Sequence, residues 1–158
     1  MIDIRNIYKE TFRAIKQDTK LLDLLGVEYK GVDNNTFLTN LRKQVIEGSS
    51  PEDMLNDYST RVCYHETSGK AKTGLDETAY LAVDVHITKD RNMQTGLLSD
   101  ISKRIVEILD SKERKKQGLQ PLNVGFYGFI YNDRIFDEKS STTGWEKYTL
   151  IFKYIYSI

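Results

Sequence analysis

Two short stretches hold residues that could do chemistry if they met. Cys63 and His65 alternate on one face of Thr60 to Glu66, and Asp84 and His86 alternate on one face of Thr78 to Thr88. An antiparallel register that aligned them would set a thiol or an imidazole beside a carboxylate. Metal binding and nucleophilic catalysis both use such a pairing. No third orienting residue accompanies these four. The outward face of a hairpin is polar in any case, and the residues favour that plainer reading.

Asp137-Glu138-Lys139 has the acid-x-Lys form in which carboxylates hold Mg²⁺ and a lysine steadies an attacking water. That chemistry would make the chain a metal-dependent nuclease. Three such residues weigh little against 23 basic and 23 acidic side chains, and they fall in a polar stretch with no second acid on a core strand. Gly125 and Gly128 flank Phe126-Tyr127 without any phosphate-binding glycine pattern, so a bend or close backbone contact is expected there. The basic run Lys112 to Lys116 suits a solvated helix end. One cysteine and two histidines cannot build the common zinc sites, and Cys63 has no partner for an internal disulfide, which fits a reducing cytosol. The residues predict no enzyme, no cofactor and no metal.

The elements that would position these residues follow from periodicity. Ile4, Ile7, Tyr8, Thr11, Phe12 and Ile15 mark a first helix that Asp3 can cap. A second begins near Asp18 and stops at Gly26. Residues 33–57 form an insertion. Phe37, Leu38, Leu41, Val45 and Ile46 read as an amphipathic helix ending at Gly48, and Ser50-Pro51-Glu52-Asp53 as the start of another. The period then drops to two. Thr60–Glu66 and Thr78–Thr88 are predicted strands, joined by a long polar tip, Thr67 to Gly74. Met93, Leu97, Leu98, Ile101, Ile105, Ile108 and Leu109 make one apolar stripe of a long helix. Strands over Val124–Tyr131 and Lys147–Tyr156 close the chain, linked by the polar stretch Asn132 to Trp145. The expectation is one α+β domain over 1–158, with a mainly antiparallel four-stranded sheet of two hairpins. Helices lie on one face, in the order helix, hairpin, helix, hairpin.

Composition removes further classes. The formal net charge is zero, so no broad electrostatic attraction to nucleic acid or anionic lipid is expected. The longest uncharged stretch, Gln117 to Asn132, is broken by glycines and a proline, and no membrane span or signal peptide is expected. What stands out is the C-terminus, where ten of the 17 aromatic residues fall after position 125. On the last strand Leu150, Phe152, Tyr154 and Tyr156 line one face, while Ile151, Ile155 and Ile158 lie on the other. Helices can cover only one of those faces, so the second predicts a partner subunit.

The first helices ending in Leu24-Leu25-Gly26, the strand Leu81 to Ile87, the helix Ser99 to Leu109 and the aromatic strand pair at the end carry a resemblance. In element order and texture, over roughly two-thirds of its length, the chain resembles the tail-terminator and head–tail joining (tail completion) proteins of long-tailed bacteriophages. The resemblance implies a homohexameric ring of small α+β subunits. Such a ring would cap the tail tube, end tail polymerisation and meet the head-completion or connector protein. DNA would pass through without specific binding, which zero net charge suits. It also implies assembly in the host cytoplasm and residence in the virion neck. Two apolar positions, Ile151 and Ile155, are the candidates for the subunit contact. Lys70 and Lys72 on the hairpin tip are the candidates for acids on the tail tube or connector.

Overall fold

The computed structural model describes residues 4–48, 59–73, 75–137 and 144–157, with the backbone path alone for 68–73 and 133–137. The element order is α1 (Ile4–Gln17), α2 (Thr19–Leu25), α3 (Asn34–Gln44), β1 (Val45–Glu47), β2 (Arg61–Thr73) and β3 (Asp76–Thr88). Then follow α4 (Lys89–Thr95), α5 (Leu97–Leu109), α6 (Ser111–Lys116), β4 (Ile130–Asp137) and β5 (Trp145–Ser157). The class is α+β, as predicted. The sheet, however, has five strands in the order β1-β2-β3-β5-β4, and it is mixed, because β1 runs parallel to β2 while the other neighbours are antiparallel.

The added strand comes from Val45-Ile46, which the helical period had absorbed. The two β-branched residues leave the helix after Gln44 and pair with Val62 and Cys63. Gln44 secures the change of direction: its Nε2 donates to the carbonyls of Leu25 at 2.7 Å and Thr60 at 3.2 Å. Asp3 and Ser50-Pro51-Glu52-Asp53 lie outside the described residues.

The long helical stripe is divided in two. Gly96, at φ 66°, ends α4 by donating its N–H to the Asn92 carbonyl, and α5 starts immediately after it. Met93 therefore belongs to a different helix from the rest of the stripe and points to solvent, 84% exposed. The strand expected at Val124–Tyr131 begins only at Ile130, because the chain turns at Gly125 and Gly128. The described parts of both links expected to be loops are largely strand. β2 reaches Thr73, with a bulge between Thr67 and Ala71, and β4 reaches Asp137. Polar residues pair as well as apolar ones along a backbone ladder, and composition does not reveal that.

β3 is the central strand, paired over its whole length with β5 and on its other side with β2. Its Leu81, Val83, Val85 and Ile87 pack with Leu150, Phe152 and Tyr154 of β5 and with α1, α2 and α5 into one core. Arg104 of α5 fastens α2 to that layer. Its guanidinium donates to both carboxylate oxygens of Asp18, through Nε at 2.8 Å and Nη2 at 2.5 Å. Asp18 also caps α2 by accepting the Leu21 N–H at 2.9 Å. Among the described residues, no helix is long and apolar enough to cross a membrane.

Candidate functional site: the last strand and the sheet face away from the helices

Alternation along β5 sends its two residue sets to opposite sides of the sheet. The aromatic set faces the helices and is buried. Phe129 sits edge-on to both Phe152 and Tyr154, with ring centroids 5.9 Å apart in each case, and Tyr131 meets Phe152 at 5.6 Å. Burial pushes the Tyr154 hydroxyl far above the ordinary tyrosine range. The aliphatic set, Ile151 and Ile155, lies on the opposite face and is half-buried.

Register across that opposite face brings the sequence-selected polar residues together. Cys63 lies level with Asp84, Asp84 with Thr149, and Arg61 with His86. Asp84 holds the group together. Its Oδ1 accepts the Thr149 hydroxyl at 2.6 Å and its Oδ2 lies 3.1 Å from His65 Nε2. The other ring nitrogen of His65 lies 3.3 Å from the Glu66 carbonyl. Both partners of the imidazole are acceptors, so the doubly protonated ring satisfies both and the neutral ring only one. Thr149 was not singled out from the sequence; the signal that could have found it is its alternation with Ile151 on the same strand.

The His65–Asp84 contact couples two titratable groups. The hydrogen bond to Asp84 raises the His65 pKa above the ordinary histidine value, against the opposing effect of burial. Burial works against ionisation of Asp84, yet the bonds from His65 and Thr149 outweigh it and hold the carboxyl below the ordinary range. A raised histidine stabilises the fold fully below its unfolded pKa of about 6.5, and the contribution fades as pH rises through the folded value. A lowered aspartate stabilises above about pH 3.9, and loses that contribution as pH falls through its folded value. Melting temperature is therefore expected to fall between about pH 6 and pH 8 in the wild type, and His65→Gln is expected to flatten that decline. A decline of equal size in the variant would assign it to another group.

The remaining chemical candidates separate in space. Asp137 ends β4, level with Lys147, while Glu138 and Lys139 lie outside the described residues. Among the described residues no group of three or more His, Cys, Asp or Glu side chains could hold a metal ion. The basic run forms α6, where Arg114 donates to the carbonyls of Gln120 at 2.6 Å and Ile108 at 2.8 Å, a structural use of its charge. Lys70 falls in the β2 bulge and Lys72 lies level with Glu77, both on the distal half of the hairpin.

No protein-family model and no curated protein matches the sequence. The fold, however, is shared with a chain of a solved virion structure. A chain of the solved structure described as "Virion of native gene transfer agent (GTA) particle" superposes with a TM-score of 0.55. It is 11% identical, over 90% of this chain and 88% of that one. At that identity the likeness establishes a shared architecture over most of both chains.

Proposed function

We propose that this chain is a structural, non-enzymatic subunit of a phage-like virion, acting in the neck as a ring. The ring would consist of six copies, cap the tail tube protein, stop tail polymerisation and present a surface to the head-completion or connector protein. DNA would slide through it unbound. The observation that carries this reading is the fold shared with the gene transfer agent virion chain over nearly the full length of both. The resemblance in the leading helices, the Leu81–Ile87 strand and the Ser99–Leu109 helix narrows it to the tail-terminator and head–tail joining group.

Two features suit the role. Ile151 and Ile155 keep apolar surface half-exposed on the face without the aromatic core, as a subunit contact requires. A formal net charge of zero lowers the attraction between the ring and the DNA it surrounds. Lys70 and Lys72 are the charged candidates for a further contact.

The test is the native mass of the purified protein, measured by light scattering with and without tail tubes. The expected result is a closed ring, with tubes that stop growing once it is added. A monomer that also leaves tube growth unchanged would overturn the reading.

A further inference from the structure

The sheet carries two open edges, one at each end. β1 covers β2 only at Val62, Cys63 and Tyr64. Just beyond, the Glu66 N–H is capped by the Tyr8 hydroxyl at 2.9 Å. From 67 to 73 no described strand lies on that side of β2. At the other end β4 is flanked by β5 alone. The Asp110 carboxylate caps the outward Tyr131 N–H at 2.8 Å, and from 132 to 137 no described strand follows. Among the described residues the sheet thus ends in two ladders of similar length without a strand neighbour, and such ladders are templates for strand addition.

The two edges differ in charge. Residues 67–73 contain Lys70 and Lys72 and no acid, whereas 132–137 contain Asp133 and Asp137 against a single Arg134. Like edges repel and unlike edges attract, which disfavours a twofold contact and favours a head-to-tail one. Resting on the ring reading above, we propose that the distal edge of β2 on one copy pairs with the outer edge of β4 on the next copy. The occupant of each open edge is therefore a second copy of this chain, and Lys70 and Lys72 serve the subunit contact.

Direction and register agree with this pairing. β2, β3, β5 and β4 alternate in direction, so β2 and β4 run opposite ways. A copy laid alongside in the same orientation meets its neighbour antiparallel. Ile135 lies level with Asp84 through Thr149, whereas Ala71 lies level with Thr78, six residues away along β3. That stagger, about 20 Å across four interstrand spacings of about 19 Å in all (three within a copy and one between copies), tilts the strands by roughly 46° from the ring axis. Closed sheets tilt by about 35–45°, so the offset between the two edges lies close to the upper end of what closure takes. Ile151, level with Asp133, sits one strand in from the β4 edge, and Ile155, level with Thr78, two strands in from the β2 edge.

Two charge-reversed variants test the pairing, K70E/K72E and D133K/D137K. Each alone carries like-charged edges and is expected to run as a monomer where the wild type assembles. An equimolar mixture is expected to regain the wild-type mass, because each variant's β2 edge then meets an oppositely charged β4 edge. Assembly of either variant alone, or a mixture that stays monomeric, overturns the edge pairing while the ring reading stands on the wild type. A wild type that is monomeric even with tail tubes overturns both. Melting curves check folding; if either variant melts early, A71C mixed with I135C, the two positions this register sets level, replaces them. Covalent dimers on oxidation support the contact and their absence overturns it.

Discussion

Phe152→Ala is expected to cost about 3–5 kcal/mol of folding stability, and Ile151→Ala with Ile155→Ala is expected to dissolve the assembly while the monomer's melting curve barely moves. Phe152 is fully buried, level with Leu81 and wedged between the rings of Phe129 and Tyr131. Truncation removes its apolar area and leaves a cavity lined by the rings of Phe129 and Tyr131, which fixed strands and helices let relax only in part. The isoleucines are half-buried on the opposite face, so a lone subunit loses far less when they are shortened. What they lose is area against a partner. Urea melts and native masses measured on both variants separate the two effects. Ile151 and Ile155 variants that keep the full mass would move the subunit contact off this face. A Phe152→Ala loss below about 1 kcal/mol would mean the aromatic cluster repacks.

Gly125→Ala is expected to cost about 2–4 kcal/mol, the second large effect. At φ 57° a side chain is already strained, and a Cβ here would sit 2.2 Å from the Ile155 carbonyl oxygen, which is backbone and cannot swing aside. Relief requires the loop to lift from β5, which breaks the 2.8 Å hydrogen bond from the Phe126 N–H to that carbonyl. Above the point where β4 leaves it, β5 would lose this cover on its outer edge. Phe126 and Tyr127, already 55% and 61% exposed, would move with the loop. Gly31→Ala is the control, since its φ is 72° but nothing lies within 4 Å of the new Cβ. It should cost only about 1–2 kcal/mol, the strain alone. Equal losses at the two positions in thermal melts would show that the close approach to Ile155 contributes nothing.

The chain's local chemistry was legible without coordinates wherever one residue type decides the geometry. Asp18 and Gly26 bound α2 because a carboxylate accepts an orphan helix N–H and glycine tolerates the left-handed end. Leu81 to Ile87 and Leu150 to Tyr156 announced strands by period two, and the aromatic set on β5 announced the buried side. The α+β class followed from the order of these signals.

Tertiary structure decided the rest, because backbone pairing is blind to composition. The polar stretches after Glu66 and after Tyr131 became strand when a neighbouring ladder was there to receive them. Val45-Ile46, apolar at a spacing that also fits a helix, joined the sheet because Val62 and Cys63 lay beside it. The same holds for the polar cluster on the face away from the aromatic core, where Cys63, Asp84 and His86 are buried rather than solvated. The sequence places Cys63, His65, Asp84 and His86 on alternating positions, but only the register sets His65 and Thr149 on opposite oxygens of one carboxylate. A one-residue slip would have sent every one of those side chains to the other face. Register depends on long-range pairing between residues 65 positions apart, and no local window of sequence contains it.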